Sequence, residues 1–480
     1  MPQSGIKSNP AHVQIAISIS VFLVPFMGSS LNLALPRVAD SFSMSAFSLT
    51  FLVSMYLIGA TMFQMPAARL ADLVGKRKLF LVGLASFGLF TLLGGLAWSG
   101  ASLIAFRFLS GVGSSMVFAT NIAILTSVFP PERRGRALGV NSAVVYFAVA
   151  IGPFLGGLLA HHFGWRSIMY VSAALTVVTI IISAASIKDE WMESRGEPYD
   201  IQGCGAFIVG VGTLITGFSF LPQGLGWAML AVAAVCIPLF IHIENRSHYP
   251  MIKLDIFREN RHFRLSSLSA MINYSASFAI GFILSLYLQY VLGLPPDRAG
   301  LVLIAQPVVQ SILSPVGGWL SDRVNPSILT TSGMGLITVG LFLLSRLSPE
   351  TPITAIVLIL VLVGVGFAMF SSPNVNIIMG SVSRKHSGLA SATTGTARQL
   401  GQSLSIATTS LIIHHYMGDH PPGAETAELF LPAMRTCFLL FAVVCIVGMY
   451  TSASKLVGGD NDKDWRHVSG RFDAGEAKNG

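Results

Sequence analysis

The chain has 480 residues, of which 52% are hydrophobic and 11% charged, and its mean hydropathy is +0.68. An ordinary soluble domain carries about 25% charged residues, so a soluble globular protein is excluded and a polytopic membrane protein is implied. The net charge of +8 and the pI near 9.4 call for no nucleic-acid partner, because loop lysines and arginines beside spans face anionic lipid headgroups.

Apolar runs of about 20 residues, enough to cross roughly 30 Å of hydrocarbon as helix, recur from near His12 to near Lys455. They lie at roughly 13–36, 47–68, 79–98, 101–125, 137–160, 166–186, 202–221, 225–243, 265–291, 298–319, 328–346, 353–377, 388–413 and 433–454. The first is too long for a signal-peptide core and no small-residue cleavage site follows it, so it is kept as a span. About fourteen spans, an even number, return both termini to one side. With the N-terminus inside, Arg69, Lys76, Arg77, Lys78, Arg133, Arg134, Arg136, Arg258, Arg261, Arg264, Arg384 and Lys385 fall in the cytoplasm. The outer loops hold only Arg37, Arg166, Arg298, Arg346 and Arg435, a bias from which the positive-inside rule gives cytoplasmic termini; a multi-pass protein of the cell membrane is expected. Cys204, Cys236, Cys437 and Cys445 sit in apolar segments without a CxxC pair, which points to neither a disulfide framework nor a zinc site.

The chain repeats itself. At a constant offset Gly135 falls on Gly388, Ala148 and Gly152 on Gly401 and Ser405, and His161-His162 on His414-His415. Ala68 to Lys78, after the second span, is echoed by Gly318 to Arg323 after the tenth. The expected fold is therefore all-α, with two six-helix bundles in parallel repeat and two extra helices between them. Its parts are a cytoplasmic N-terminus (1–12), a first bundle (13–186), two inserted spans with flanking loops (187–264), a second bundle (265–455) and a disordered cytoplasmic tail (456–480). Parallel six-span repeats are the build of a rocking transporter.

Chemistry is concentrated at few positions. Asp72, at the cytoplasmic end of the second span, is followed by Gly75, Lys76 and Arg77; by pairing with Arg133 or Arg134, or by capping a helix, it gives a cytoplasmic latch, and for Lys76, Arg77 and Lys78 the other reading is that they are topology signals alone. Asp322 and Arg323 form a thinner second copy. The fifth span carries Ala148, Gly152, Gly156 and Ala160 on one face, where another helix can approach closely, and Pro153 invites a bend. Arg107 and Arg398 lie within spans, each at a cost of at least about 2.5 kcal/mol, so each is a candidate for coupling or gating. Candidate cavity contacts are Asn32, Asn121, Asn141, Tyr146, Asn273, Tyr274, Gln306, Gln310, Asn374 and Asn376, with interhelical bonding as the other reading of each.

No HExxH is present and Gly75-Lys76 is followed by arginine, not by the Ser or Thr of a P-loop, so an enzyme is not indicated. No metal set or channel filter is apparent either.

Several stretches resemble the major facilitator superfamily, four of them its signatures. Ala68 to Lys78 resembles its loop signature G-x-L-x-D-R-x-G-R-[RK]-[RK], and Leu103 to Ser114, with Arg107, Gly111 and Gly113, its fourth-span signature. Gly152, Pro153, Gly156 and Gly157 match the G-P-x-x-G-G of its antiporters. Ser29 to Pro36, with Asn32, Ala34, Leu35 and Pro36, is similar to the first-span signature of its fourteen-span drug:proton antiporter branch, and Gly164-Trp165-Arg166 and Arg398-Gln399-Leu400-Gly401 are also similar to that branch. The resemblance implies efflux of small amphiphilic compounds by alternating access, with no cofactor and the proton gradient as driving force. A metabolite carrier or a non-transporting sensor is the alternative, and a monomer in the lipid bilayer is expected.

One position departs from the family. Its first-span signature has an aspartate five residues before the asparagine, where this sequence has Met27, and no Asp or Glu lies well inside any span. An electropositive cavity follows, favouring neutral, zwitterionic or anionic substrates over cations. Coupling then falls to a rim acid such as Asp40, to the histidine pairs, or to no proton at all.

Overall fold

A backbone in hydrocarbon has to satisfy its own hydrogen bonds, and runs of apolar residues do so as helices. In the computed structural model every regular element among the described residues is helical. The described residues are 8–457 apart from 130, 193, 222, 252–254, 322, 383–386 and 419–425; side chains at 46, 126, 131–136, 138, 139, 142, 255, 256, 387–389, 391, 392 and 455–457 are also outside the description.

Fourteen long helical segments are labelled α1 (Pro10–Phe42), α2 (Ala46–Val74), α3 (Lys76–Gly95), α4 (Gly100–Val128), α5 (Pro131–Phe163), α6 (Arg166–Ser186), α7 (Ile201–Ser219), α8 (Gly224–Arg246), α9 (Arg261–Val291), α10 (Pro296–Ser321), α11 (Pro326–Leu344), α12 (Ile353–Gly380), α13 (Ser387–Met417) and α14 (Ala427–Val457). Among the described residues thirteen helices are long and apolar enough to cross a membrane. The remaining long helix, α13, is polar along its middle, with Arg398, Gln399 and Gln402. Local sequence sets the starts: Asn9 accepts from the Ala11 amide ahead of Pro10, Ser99 and Ser102 form a capping box, and Asp200 accepts from the Gly203 amide at 2.8 Å.

Two spans are not continuous α-helix. In α9 the Ala279 amide donates to Ser405 Oγ of α13 at 3.1 Å, at the point where the helix breaks between Ser277 and Ala279, and Tyr287–Val291 winds as a π-helix. In α10 Pro307 has no amide for the Leu303 carbonyl, and the helix is interrupted at Ile304.

The duplication is visible in the packing. Within the first bundle α1 lies on α5 and α6, α4 on α2 and α3, and α3 on α6; within the second, α9 lies on α13 and α14, α12 on α10 and α11, and α11 on α14. The inserted helices α7 and α8 pack on each other, and α7 also touches α2 and α13. Between the bundles the two main seams, α2 with α13 and α5 with α10, are equivalents under the repeat.

Glycine makes the close contacts. A Cβ on Gly111 of α4 would overlap the Tyr56 carbonyl of α2, and one on Gly113 would stand 2.5 Å from the Phe87 amide nitrogen of α3. The repeat does the same at Gly317, 2.5 Å from the Ala368 carbonyl. Lipid tails are as apolar as the side chains, so such backbone proximity, not water exclusion, holds these helices together.

Candidate functional site

The terminal side of the bundle is the one on which α1 begins and α14 ends, and the distal side is the opposite one. On the distal side the halves are joined. Thr50 donates to Ser410 at 2.6 Å, Ser285 donates to the Asn32 carbonyl at 2.8 Å, and Phe47 packs at a tilt against His414 with ring centroids 5.1 Å apart. His161 Nδ1 lies 4.0 Å from Asp297 across the α5–α10 seam. Deeper in, Thr61 and Ser403 share a hydrogen bond of 2.9 Å.

The glycine motif of α5 divides between two partners. Gly152 and Gly156 face α1: the Ser30 hydroxyl donates to the Gly152 carbonyl at 2.9 Å, and a Cβ on Gly156 would stand 2.5 Å from Ser30 Cα. Gly157 faces the other bundle, where a Cβ would stand 2.7 Å from the Pro296 carbonyl oxygen. Reciprocally, a Cβ on Gly300 of α10 would stand 2.6 Å from the Pro153 carbonyl oxygen. This helix is thus both part of its own bundle and half of the distal seam.

Beneath that seam lies a cavity of about 250 Å³ between the bundles. Of the candidate contacts, Asn32, Tyr146, Tyr274, Gln306 and Gln310 line it, together with Arg107, Arg398 and Pro153. Asn121, Asn141, Asn273, Asn374 and Asn376 do not. Asn374 donates to the Ser266 carbonyl at 3.1 Å and Asn376 to Ser321 Oγ at 2.6 Å, so they bond neighbouring helices. Asn273 is fully buried, and its amide oxygen and nitrogen have no partner among the described residues. Sequence reading missed Tyr56, Phe118, Gln399 and Gln402, which also line the cavity. The signal available for the glutamines was spacing: Arg398 and Gln402, like Gln306 and Gln310, stand four apart on one helical face.

The charges are unevenly matched. Arg107 is 3% exposed; its Nη1 lies 3.9 Å from Met27 Sδ, its guanidinium sits 4.3 Å from the Tyr56 ring centre, and its Nε has no hydrogen-bond partner among the described residues. Thr91 also donates to the Met27 sulfur, at 3.4 Å. Arg398 lies 5.6 Å from the Phe118 ring centre, on the other bundle. No Asp or Glu is among the described residues lining the cavity. Asp40 is exposed at the distal end of α1, outside the lining.

The signature loop between α2 and α3 is clasped by the segment leading to α7, which sequence reading did not foresee. Asp72 lies 3.6 Å from Lys76, and its carbonyl accepts from the Ser194 amide at 3.0 Å. Arg69 pairs with Glu197 at 2.8 Å, Lys76 donates its amide to the Trp191 carbonyl at 3.0 Å, and the Arg77 and Lys78 amides donate to Glu190 at 2.8 and 3.2 Å. Tyr199 donates to the Pro66 carbonyl at 3.3 Å; burial first, then Cys204 and Asp200, push its pKa up and keep it a neutral donor. The side chains of Arg133 and Arg134, and all of Asp322, lie outside the described residues. Arg323 stacks 4.0 Å from the Trp319 ring centre.

Two local predictions follow from this clasp. Gly75 has φ +116°, and the Glu190 carboxyl occupies the place of its missing Cβ. Gly75→Ala is expected to cost about 1–3 kcal/mol, read as a lower melting temperature of the purified protein. Glu190→Ala removes the acceptor at the start of α3 and is expected to cost about 0.5–2 kcal/mol, on the scale of a lost helix cap, with Glu190→Gln milder.

The four histidines do not converge. His161 faces Asp297 while His414 packs on Phe47, and among the described residues no group of three or more His, Cys, Asp or Glu is placed to hold a metal.

The chain matches the family model described as Major Facilitator Superfamily over residues 17–241 and 266–469. It belongs to the Major Facilitator Superfamily. It is 31% identical over 407 residues to the multidrug resistance protein Stp of Mycobacterium tuberculosis (strain CDC 1551 / Oshkosh), covering 83% of this chain and 75% of that one. It is 26% identical over 438 residues to the riboflavin transporter RibZ of Clostridioides difficile (strain 630), covering 91% and 95%. The tetracenomycin C resistance and export protein of Streptomyces glaucescens is 26% identical over 439 residues, covering 90% and 81%. A bacterial homolog of the human lysosomal transporter Spinster, solved inward-facing and unoccupied, shares the fold with a TM-score of 0.70 at 15% identity, covering 95% of this chain and 100% of that one. The protein is a membrane transporter of this superfamily, not an enzyme.

Proposed function

We propose that this transporter exports small amphiphilic molecules across the cell membrane by alternating access, as a monomer, in exchange for protons. The terminal side is taken as cytoplasmic, in keeping with its lysines and arginines. The observation that carries the reading is the cavity between the two bundles, lined by aromatic and amide side chains and sealed on its distal side by glycine-mediated contacts. A rocking pair of bundles would load there from one side and release to the other. Two relatives named for multidrug resistance and tetracenomycin C export support the export direction. The absence of a carboxylate from the described lining favours neutral, zwitterionic or anionic substrates and leaves proton binding to the distal rim, where Asp40 and the His161–Asp297 pair lie.

Inverted membrane vesicles holding a respiration-driven pH gradient provide the test. Adding a transported amphiphile is expected to collapse part of the gradient only when the protein is present. Substrate uptake with no proton movement would contradict exchange for protons. A second reading, a metabolite carrier, draws on the relative named a riboflavin transporter. Accumulation of such a metabolite by right-side-out vesicles would favour it.

A further inference from the structure

We propose that Arg107 and Arg398 together hold the anionic group of an aromatic substrate, which supplies the counter-charge that Met27 does not. A buried guanidinium is normally paired, because an isolated charge in a low-dielectric interior is costly. Arg107 has instead a thioether 3.9 Å away and an aromatic face at 4.3 Å, with no hydrogen-bond partner for its Nε among the described residues. Both contacts are weak beside a carboxylate or sulfonate, which takes two parallel N–H donors from one guanidinium. Arg398 opens onto the same cavity, 5.6 Å from the Phe118 ring centre and beside Tyr274, with no carboxylate paired to it among the described residues. The site therefore holds two cations and no described acid.

The two arginines belong to different bundles, Arg107 to α4 and Arg398 to α13. An anion gripped by both ties one bundle to the other, so the ligand's charge favours closure of the cavity around it. The rings of Tyr56, Phe118, Tyr146 and Tyr274 line the same space and offer faces for an aromatic body. The chemical class is thus an aromatic ring system bearing one strongly acidic group. The inference rests on the export reading only in taking this cavity as the substrate's path.

The test uses the purified full-length protein in lipid nanodiscs and three matched probes: naphthalene-2-sulfonate, its neutral sulfonamide, and a naphthylmethyl trimethylammonium cation. Calorimetric titration of the unaltered protein is expected to give about tenfold or tighter binding of the sulfonate over the sulfonamide, the scale of a charge-assisted hydrogen bond. The ammonium is expected to bind weakest. Arg107→Gln and Arg398→Gln are each expected to lower the sulfonate-to-sulfonamide ratio by about fivefold or more, and Met27→Asp to move preference toward the cation. Sulfonamide or cation binding as tight as the sulfonate in the unaltered protein would overturn the proposal, whatever the variants do. Sulfonate binding without movement into vesicles would leave it standing and defeat the export reading instead. Transport of the neutral probe without sulfonate binding would do the reverse.

Discussion

Gly157→Leu is expected to hold the distal side open and to lower transport by about fivefold or more. A Cβ at this position would come within 2.7 Å of the Pro296 carbonyl oxygen and 3.2 Å of Asp297 Cα, both on the opposite bundle. Neither is the yielding end of a flexible side chain. The added volume opposes only the conformation in which α5 and α10 touch, because this face of α5 meets the other half and not its own. If overpacking costs about 1–3 kcal/mol, the balance between distal-closed and distal-open forms moves about 5- to 150-fold. Spin labels on the distal ends of α5 and α10, after replacement of the four native cysteines, would read this as a longer distance with little change in melting temperature. Gly300→Leu, opposite the Pro153 carbonyl, is expected to act in the same direction.

Leucine one residue earlier is expected to act differently. Gly156 faces α1 within its own bundle, where a Cβ would stand 2.5 Å from Ser30 Cα and 2.8 Å from the Ser30 carbonyl oxygen. These contacts are present whichever way the halves rock, so the penalty falls on the fold. Gly156→Leu is expected to destabilise by about 3 kcal/mol or more, at the upper end for overpacking. The readouts are lower yield in the membrane and a lower melting temperature in detergent. Normal stability with altered distal distances would show that the division of labour between the two glycines is wrong.

The architecture was legible because span length and apolarity are set by the bilayer and the duplication by recurring residues. The offset that carries Gly152 onto Ser405 matches the repeated packing of α5 on α1 and α13 on α9. The site was half legible. Gln306 and Gln310 were found because amides are rare in spans, yet Asn374 and Asn376 share that rarity and serve to bond helices. Residue type alone does not say which way a helix turns a side chain. Tyr56 and Phe118 were missed because aromatics are ordinary in spans and nothing local distinguishes those beside Arg107 and Arg398. The clasp on the signature loop was illegible for another reason. Much of it uses backbone amides and carbonyls of residues 187–200, and such pairings leave no pattern in side-chain identity.

Met27 shows where a departure from a family pattern was informative. Its sulfur contacts Arg107, so the missing acid translates into a cation without a carboxylate partner among the described residues. That link between a first-span substitution and a fourth-span charge underlies the predicted anion preference.

The most direct test of alternating access is a pair of spin-label distances in nanodiscs, one across the distal seam between α5 and α10 and one across the terminal ends of the same helices. Two populations are predicted, in which the distal distance is long when the terminal one is short, with a bound anionic aromatic shifting their ratio. Fixed distances on both sides while substrate crosses the membrane would contradict a rocking carrier, and with it the role assigned here to the cavity and the distal glycines.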